Sequence, residues 1–95
     1  PDYWWGRSNC WLSGIVVDDA ERIATELKEH GIEAQRFWKP LHLQRPYASY
    51  FMSDMHNAEA LWRKILVLPC GTGLTERDQD WVIAAVRGLE LEAAA

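Results

Sequence analysis

Apolar positions change spacing along the chain in a way that marks out its elements. Trp11 to Val17 is largely apolar and ends in the β-branched run Ile15-Val16-Val17, which predicts a buried strand. Asp18 or Asp19 then offers an N-cap oxygen and negative charge for a helix start. Ala20, Ile23, Ala24 and Leu27 follow at helical spacing and form one apolar face, while Glu21, Arg22, Glu26, Lys28 and Glu29 take the solvent side. Gly31 stands where a C-terminal cap belongs.

Ile32 to Phe37 alternates weakly and predicts a second strand. Pro40 and Pro46 bound Leu41-His42-Leu43-Gln44 as an ordered loop, and Tyr47, Tyr50 and Phe51 extend its aromatic surface. Asn57 is the expected cap of a short helix through Ala58, Ala60, Leu61 and Trp62. Ile65-Leu66-Val67-Leu68 predicts a third strand, stopped by Pro69 and Gly71. Thr75 followed by Asp78, a shorter relative of the capping box, opens a long helix. Trp81, Val82, Ala85, Val86 and Leu89 share its expected inner face, Gly88 interrupts it late, and the Ala93-Ala94-Ala95 tail reads as a fraying end. Strand, helix, strand, loop, short helix, strand and long helix together predict an α/β (α+β) fold. A small sheet carries helices on one face, and its other face is covered or polar.

The totals narrow the classes without choosing among them. Ninety-five residues with 48% apolar and 25% charged positions suffice for a single domain spanning residues 1–95, one whose independent stability is marginal. Six tryptophans are many for this length, and Trp4, Trp5 and Trp11 crowd the N-terminal end, where they either fill a core or cover another domain. A net charge of -4, with the acids spread along the helices, argues against nucleic acid. No apolar run is long enough for a bilayer and Pro1-Asp2-Tyr3-Trp4-Trp5 is no signal peptide, so the expected setting is cytoplasmic, with no membrane partner. Cys10 and Cys70 form no C-x-x-C pair, and His30, His42 and His56 lack metal-site spacing. The expectation is two reduced, packed thiols and no metal.

Four segments carry polar chemistry. Trp38-Lys39-Pro40-Leu41-His42-Leu43-Gln44 sets a cation, an imidazole and an amide in one loop. Lys39 suits a phosphate, and His42 a sugar hydroxyl or carboxylate. Pro69-Cys70-Gly71-Thr72-Gly73-Leu74-Thr75 leads from strand to helix like a phosphate cradle. It lacks the residues of a P-loop or dinucleotide fingerprint and is more simply a tight turn ending in a cap. Asn9, in Ser8-Asn9-Cys10-Trp11, either meets a ligand or makes an Asx turn. Ser49, Ser53, Cys70 and His56 are joined by no nucleophile spacing.

Together these segments resemble the DegT/StrS-type aminotransferases, which place amino groups on nucleotide sugars. Asn9-Cys10-Trp11-Leu12 running into Ile15-Val16-Val17-Asp18 is similar to the opening strand of the family's C-terminal small domain. Gly31-Ile32-Glu33-Ala34, followed by Phe37 to Gln44, resembles its most distinctive motif. Leu68-Pro69-Cys70-Gly71, then Leu74-Thr75-Glu76, Asp78-Gln79 and Val82-Ile83, resembles its closing strand, turn and helix. The likeness runs from about Ser8 to Arg87. Cys10, Cys70 and a short Arg45-Pro46-Tyr47-Ala48 stretch depart from the usual pattern and leave the substrate open.

The resemblance implies a homodimeric fold-type I enzyme using pyridoxal phosphate (PLP), with glutamate as the usual amino donor and a keto-sugar nucleotide as acceptor. It implies that the Schiff-base lysine and the acid facing the pyridine nitrogen belong to a large domain upstream. This chain then binds no cofactor, has no catalytic residue and is inactive alone. Trp38, Lys39 and His42, with Asn9 a weaker candidate, are expected to face the sugar-nucleotide site. Two rival readings remain at this stage. One is a stand-alone α/β binding or interaction module derived from that domain, and the other is a small enzyme using His42 and Asp54 as acid and base.

Overall fold

The computed structural model describes the backbone of residues 3–94 and the side chains up to residue 89. Three strands form one antiparallel sheet in the order β1-β3-β2: β1 is Ser13–Val16, β2 Gln35–Arg36 and β3 Ile65–Leu68. The helices are α1 (Ala20–Glu29), α2 (His56–Trp62) and α3 (Glu76–Ala94). The element order is the one the sequence predicts. Among the described residues no helix is long and apolar enough to cross a membrane.

Each long helix is fixed at its start by a side chain. The Asp19 carboxylate accepts a hydrogen bond from the Arg22 amide at 3.0 Å, so Asp19 rather than Asp18 is the cap of α1. At the other end the chain leaves through Gly31, whose φ of 73° lies in the left-handed region that glycine enters cheaply. Ahead of α3, the Thr75 hydroxyl donates to the Asp78 carboxylate at 2.6 Å and accepts from the Asp78 amide at 3.2 Å. The Thr75 amide also donates to that carboxylate at 3.1 Å. An aspartate thus closes a reciprocal cap that more often uses glutamate.

The core is a single layer between the sheet and two helices. Ala20, Ile23 and Leu27 of α1, Leu66 of β3, Val82, Val86 and Leu89 of α3, and Val17 and Ile32 beside them form one buried cluster. Register explains the choice. Leu66 pairs with Ile15 and Arg36, so these residues share the helix-covered face. Ile15 and Leu68 pack on the cluster, and Arg36 reaches over the edge of α1 to Glu21 at 3.5 Å.

Several expectations fail for identifiable reasons. β1 is shorter than Trp11 to Val17 and is not buried: Val16 is 64% exposed, because β1 is an edge strand and Val16 points away from the helices. The second strand shrinks to two residues, since Ile32 is drawn into the core directly after α1. Asn57 does not cap α2; Met55 stands at the N-cap with no side-chain cap, and Asp54 before it turns the chain into the helix by accepting from the His56 amide at 3.0 Å. Trp81 lies 57% exposed, because Val82, Val86 and Leu89 define the buried stripe and Trp81 falls one step off it. Gly88 does not interrupt α3. The alanine tail lies beyond the described side chains, and Ala95 beyond the described residues.

The second face of the sheet is mainly apolar and only partly covered, with Ile65 and Val67 half-buried and Val16 exposed. Gly14, Val16, Gln35, Ile65 and Val67 alternate onto it, and the exposed rings of Trp11, Phe37 and Trp38 flank it. The chain presents 8031 Å² of surface, against roughly 5,600 Å² for a self-contained monomer of its 11.0 kDa mass. Its radius of gyration is 15.6 Å where a compact domain of this length has about 12 Å. The surplus of roughly 2,400 Å² is about three times what one partner contributes to a standard protein interface.

Two outcomes test this packing. Leu66→Ala or Leu27→Ala should cost about 2–5 kcal/mol in urea unfolding, and Val16→Ala no more than about 0.5 kcal/mol. The second concerns pH. The Thr75 hydroxyl, then the Thr75 amide, hold the Asp78 carboxyl below its ordinary value; desolvation opposes them, and Arg77 adds the smallest contribution. A depressed folded pKa gives stability that is complete above the ordinary aspartate pKa of about 3.9 and is lost as pH falls through the lower folded value. Asp78→Asn should therefore weaken α3 at neutral pH, with the difference from the parent chain vanishing under strongly acid conditions, as read by circular dichroism.

Candidate functional site: an aromatic loop beside an open sheet face

The loop after β2 is held by contacts remote in sequence. The Trp62 indole N–H of α2 donates to the Phe37 carbonyl at 2.9 Å, and the Arg36 guanidinium lies 4.8 Å from the centre of the Trp62 ring. From there Trp38 turns outward, 64% exposed, with its ring 5.2 Å from Phe37 and 5.6 Å from Trp11. Two 3-10 turns follow, Leu41–Leu43 and Arg45–Tyr47, so the stretch between the prolines is ordered as predicted. The Gln44 side-chain amide donates to the Lys39 carbonyl at 2.8 Å and closes the first turn over Lys39.

His42 does not project from this loop. Its side chain is 7% exposed, and Nε2 meets Glu59 Oε1 of α2 at 2.7 Å. Nδ1 is buried with no hydrogen-bond partner. Nε2 donates to the carboxylate, and Nδ1 is left open to a partner from outside this chain. Asn9 serves the Asx turn, its Oδ1 accepting from the Trp11 amide at 3.2 Å, and Ser8 Oγ accepts from the Cys10 amide at 3.0 Å. Of the four predicted site residues, Trp38 and Asn9 thus meet around Trp11, Lys39 stands exposed beside Trp38, and His42 faces α2.

A hollow of about 420 Å³ lies on the open face under Trp38, lined among others by Leu12, Gln35, Phe37, Val67 and Cys70. Lys39, His42 and Asn9 do not line it. Sequence reasoning passed over Glu59, Trp62 and Arg36. Glu59 stands 17 positions from His42, and nothing local couples them.

The remaining candidates resolve simply. Between β3 and α3 the Leu74 amide bonds the Gly71 carbonyl at 3.1 Å, a tight turn. Neither Gly71 nor Gly73 has positive φ, and a Cβ at either would meet open space, so nothing in this turn requires glycine. Asp54 is engaged with the His56 amide and His42 with Glu59, so the acid–base pair of the small-enzyme reading does not assemble. Nor do the residues fit PLP. Lys28, Lys39 and Lys64 all lie exposed, with none enclosed as a Schiff-base lysine must be.

The family model for DegT/DnrJ/EryC1/StrS aminotransferases matches residues 5–87. The chain belongs to this family. It is 39% identical over 86 residues to GDP-perosamine synthase of Caulobacter vibrioides, covering 85% of this chain and 23% of that protein. It is 37% identical over 90 residues to EpsN of Bacillus subtilis, a protein assigned as a pyridoxal phosphate-dependent aminotransferase, covering 87% of this chain and 23% of EpsN. The crystal structure of a DegT DnrJ EryC1 StrS aminotransferase from Brucella abortus superposes with a TM-score of 0.75 at 32% identity, over 83% of this chain and 22% of that one. The chain therefore spans less than a quarter of the length of the relatives it matches.

The His42–Glu59 bond ties the family's loop to α2, and its removal is measurable. Glu59→Ala should strand a buried imidazole and cost about 1–3 kcal/mol. It should also speed hydrogen exchange at the Leu43 and Gln44 amides, which bond Pro40 and Leu41 at 3.0 Å. A double-mutant cycle with His42→Ala should recover most of that cost as coupling energy.

Proposed function

We propose that this chain is the C-terminal small domain of a PLP-dependent sugar-nucleotide aminotransferase and is inactive alone. The observation that carries the reading is the apolar sheet face that no helix covers, with its aromatic loop, in a chain of this family with far more surface than its mass requires. A large PLP-binding domain of the same polypeptide is the proposed cover, in a homodimeric enzyme. That domain supplies the Schiff-base lysine and the acid facing the pyridine nitrogen. When bound there, PLP provides the electron sink for moving an amino group from an amino acid, proposed to be glutamate, to a keto-sugar nucleotide.

The chain's own part is to close one wall of the cleft. Trp38 offers a flat apolar surface for a sugar or base, and Lys39 a mobile cation for a phosphate oxygen. His42 fixes the loop through Glu59 and offers Nδ1 to a partner brought by the substrate or the docked domain. Asn9 orders Trp11, on which Trp38 rests.

The test uses the longer enzyme carrying this domain. Lys39→Ala should raise KM for the sugar nucleotide about 10-fold or more, the size of one lost charge-assisted hydrogen bond, with a smaller change in kcat. Unchanged KM and kcat would remove Lys39 from the site. The 95-residue chain, given PLP, glutamate and a keto-sugar nucleotide, should form no amino sugar. Turnover by it would overturn the reading in favour of an independent enzyme.

A further inference from the structure

We propose that Cys10 and Cys70 form a reversible intramolecular disulfide, a redox modification site where the β1–β3 ladder ends. The two cysteines lie far apart in sequence, but the ladder gathers them. β1 and β3 pair Ser13 with Leu68. The same register carried onward sets Trp11 across from Cys70, and Cys70 Sγ lies 3.6 Å from the Trp11 carbonyl oxygen. In a regular ladder Trp11 and Cys70 would share a face and Cys10 would point to the other.

The backbone departs from regularity at that residue. Cys10 has φ 55°, the one positive value at a non-glycine among the described residues. The left-handed residue breaks the alternation, and both Cys10 and Cys70 line a single cavity of about 380 Å³ together with Ser13, Leu74 and Val82. Cys70 Sγ already touches the carbonyl of Trp11, the residue next to Cys10, and a disulfide spans a Cα separation of about 4.4–6.8 Å. Both thiols are free, Cys10 exposed and Cys70 half-buried, contrary to the packed pair expected from sequence. The contact of Cys10 Sγ with the Ser8 carbonyl, at 3.9 Å, is too weak to hold it. Among the described residues no third ligand joins them into a metal site.

The chemistry needs a small disulfide as oxidant, such as oxidised glutathione. The exposed Cys10 thiolate attacks it, forming a mixed disulfide and releasing one glutathione thiolate. The Cys70 thiolate then attacks Cys10 Sγ and displaces the second. Two cysteine thiols lose two electrons and two protons, and one glutathione disulfide becomes two thiols. The bond pins the Ser8–Trp11 entry, and with it the base of the Trp11–Trp38 pair, to the turn before α3.

The experiment treats the folded chain with oxidised glutathione, quenches with iodoacetamide, and reads intact mass and peptides. The expected product is a monomer lighter by two hydrogen atoms, with both thiols lost together, a Cys10–Cys70 linked peptide, and full reversal by dithiothreitol. Cys70→Ser should instead stop at one glutathione adduct on Cys10. In strong urea the intramolecular bond should form roughly ten-fold or more slowly, because the fold no longer holds the sulfurs together. Stable adducts on both cysteines, Cys10-linked dimers, or an intramolecular bond forming equally fast in urea would each overturn the proposal.

Discussion

Leu66 sits fully buried at the middle of a three-stranded sheet, in one cluster with Ile23 and Leu27 of α1, and everything else hangs from that one-sided packing. With three strands and helices on a single face, the sheet can shelter only alternate residues of each strand. Ile15, Leu66 and Leu68 are sheltered; Val16 and Val67, one position along, are turned to the other side. The same alternation that builds the core therefore also builds an apolar surface that no helix of this chain covers, with Ile65 and Val67 only half-buried. That surface, with the rings of Trp11 and Trp38, adds to the exposed apolar area of an elongated molecule of 46 × 35 × 25 Å, to which Trp5, Tyr50 and Phe51 also contribute.

Second in importance are the ties that make the aromatic loop a fixed object. Trp62 holds the Phe37 carbonyl, Glu59 holds His42, and Gln44 holds the Lys39 carbonyl. Two of these three anchors come from α2, a seven-residue helix with no fully buried residue of its own. A helix so short has little intrinsic stability. Its place depends on the loop as much as the loop depends on it. The family's most distinctive segment is thus held as a unit against α2, with Trp38 and Lys39 left outward for whatever docks or binds.

What the sequence made legible follows from the range of the forces involved. The ends of α1 could be read because Asp19 acts on an amide three positions away and Gly31 on its own backbone; the Thr75–Asp78 cap could be read for the same reason. Helical spacing picked out Ile23, Leu27, Val82 and Val86, yet it could not separate Trp81 from that stripe, since a neighbour one residue away differs by only about 100° of rotation. Edge exposure of β1 depends on strand order, which no local pattern encodes. The family motif led to Trp38, Lys39 and His42, but the inward turn of His42 is set by Glu59, whose position beside it arises only when α2 folds back. The positive φ at Cys10, which brings two distant thiols to one cavity, has no signal in its neighbours either.

The central claim is that the open sheet face is the inner side of a larger enzyme, and solvent access to that face tests it most directly. Hydroxyl-radical footprinting would compare Trp11, Trp38 and Val16 in the 95-residue chain with the same residues in a polypeptide that also carries a PLP-binding domain. Strong oxidation of all three in the chain alone, falling several-fold in the longer protein while Trp81 on α3 changes little, is the expected result. Equal oxidation of the sheet face in both would mean that no domain covers it, and the fold would have to be understood as an independent module.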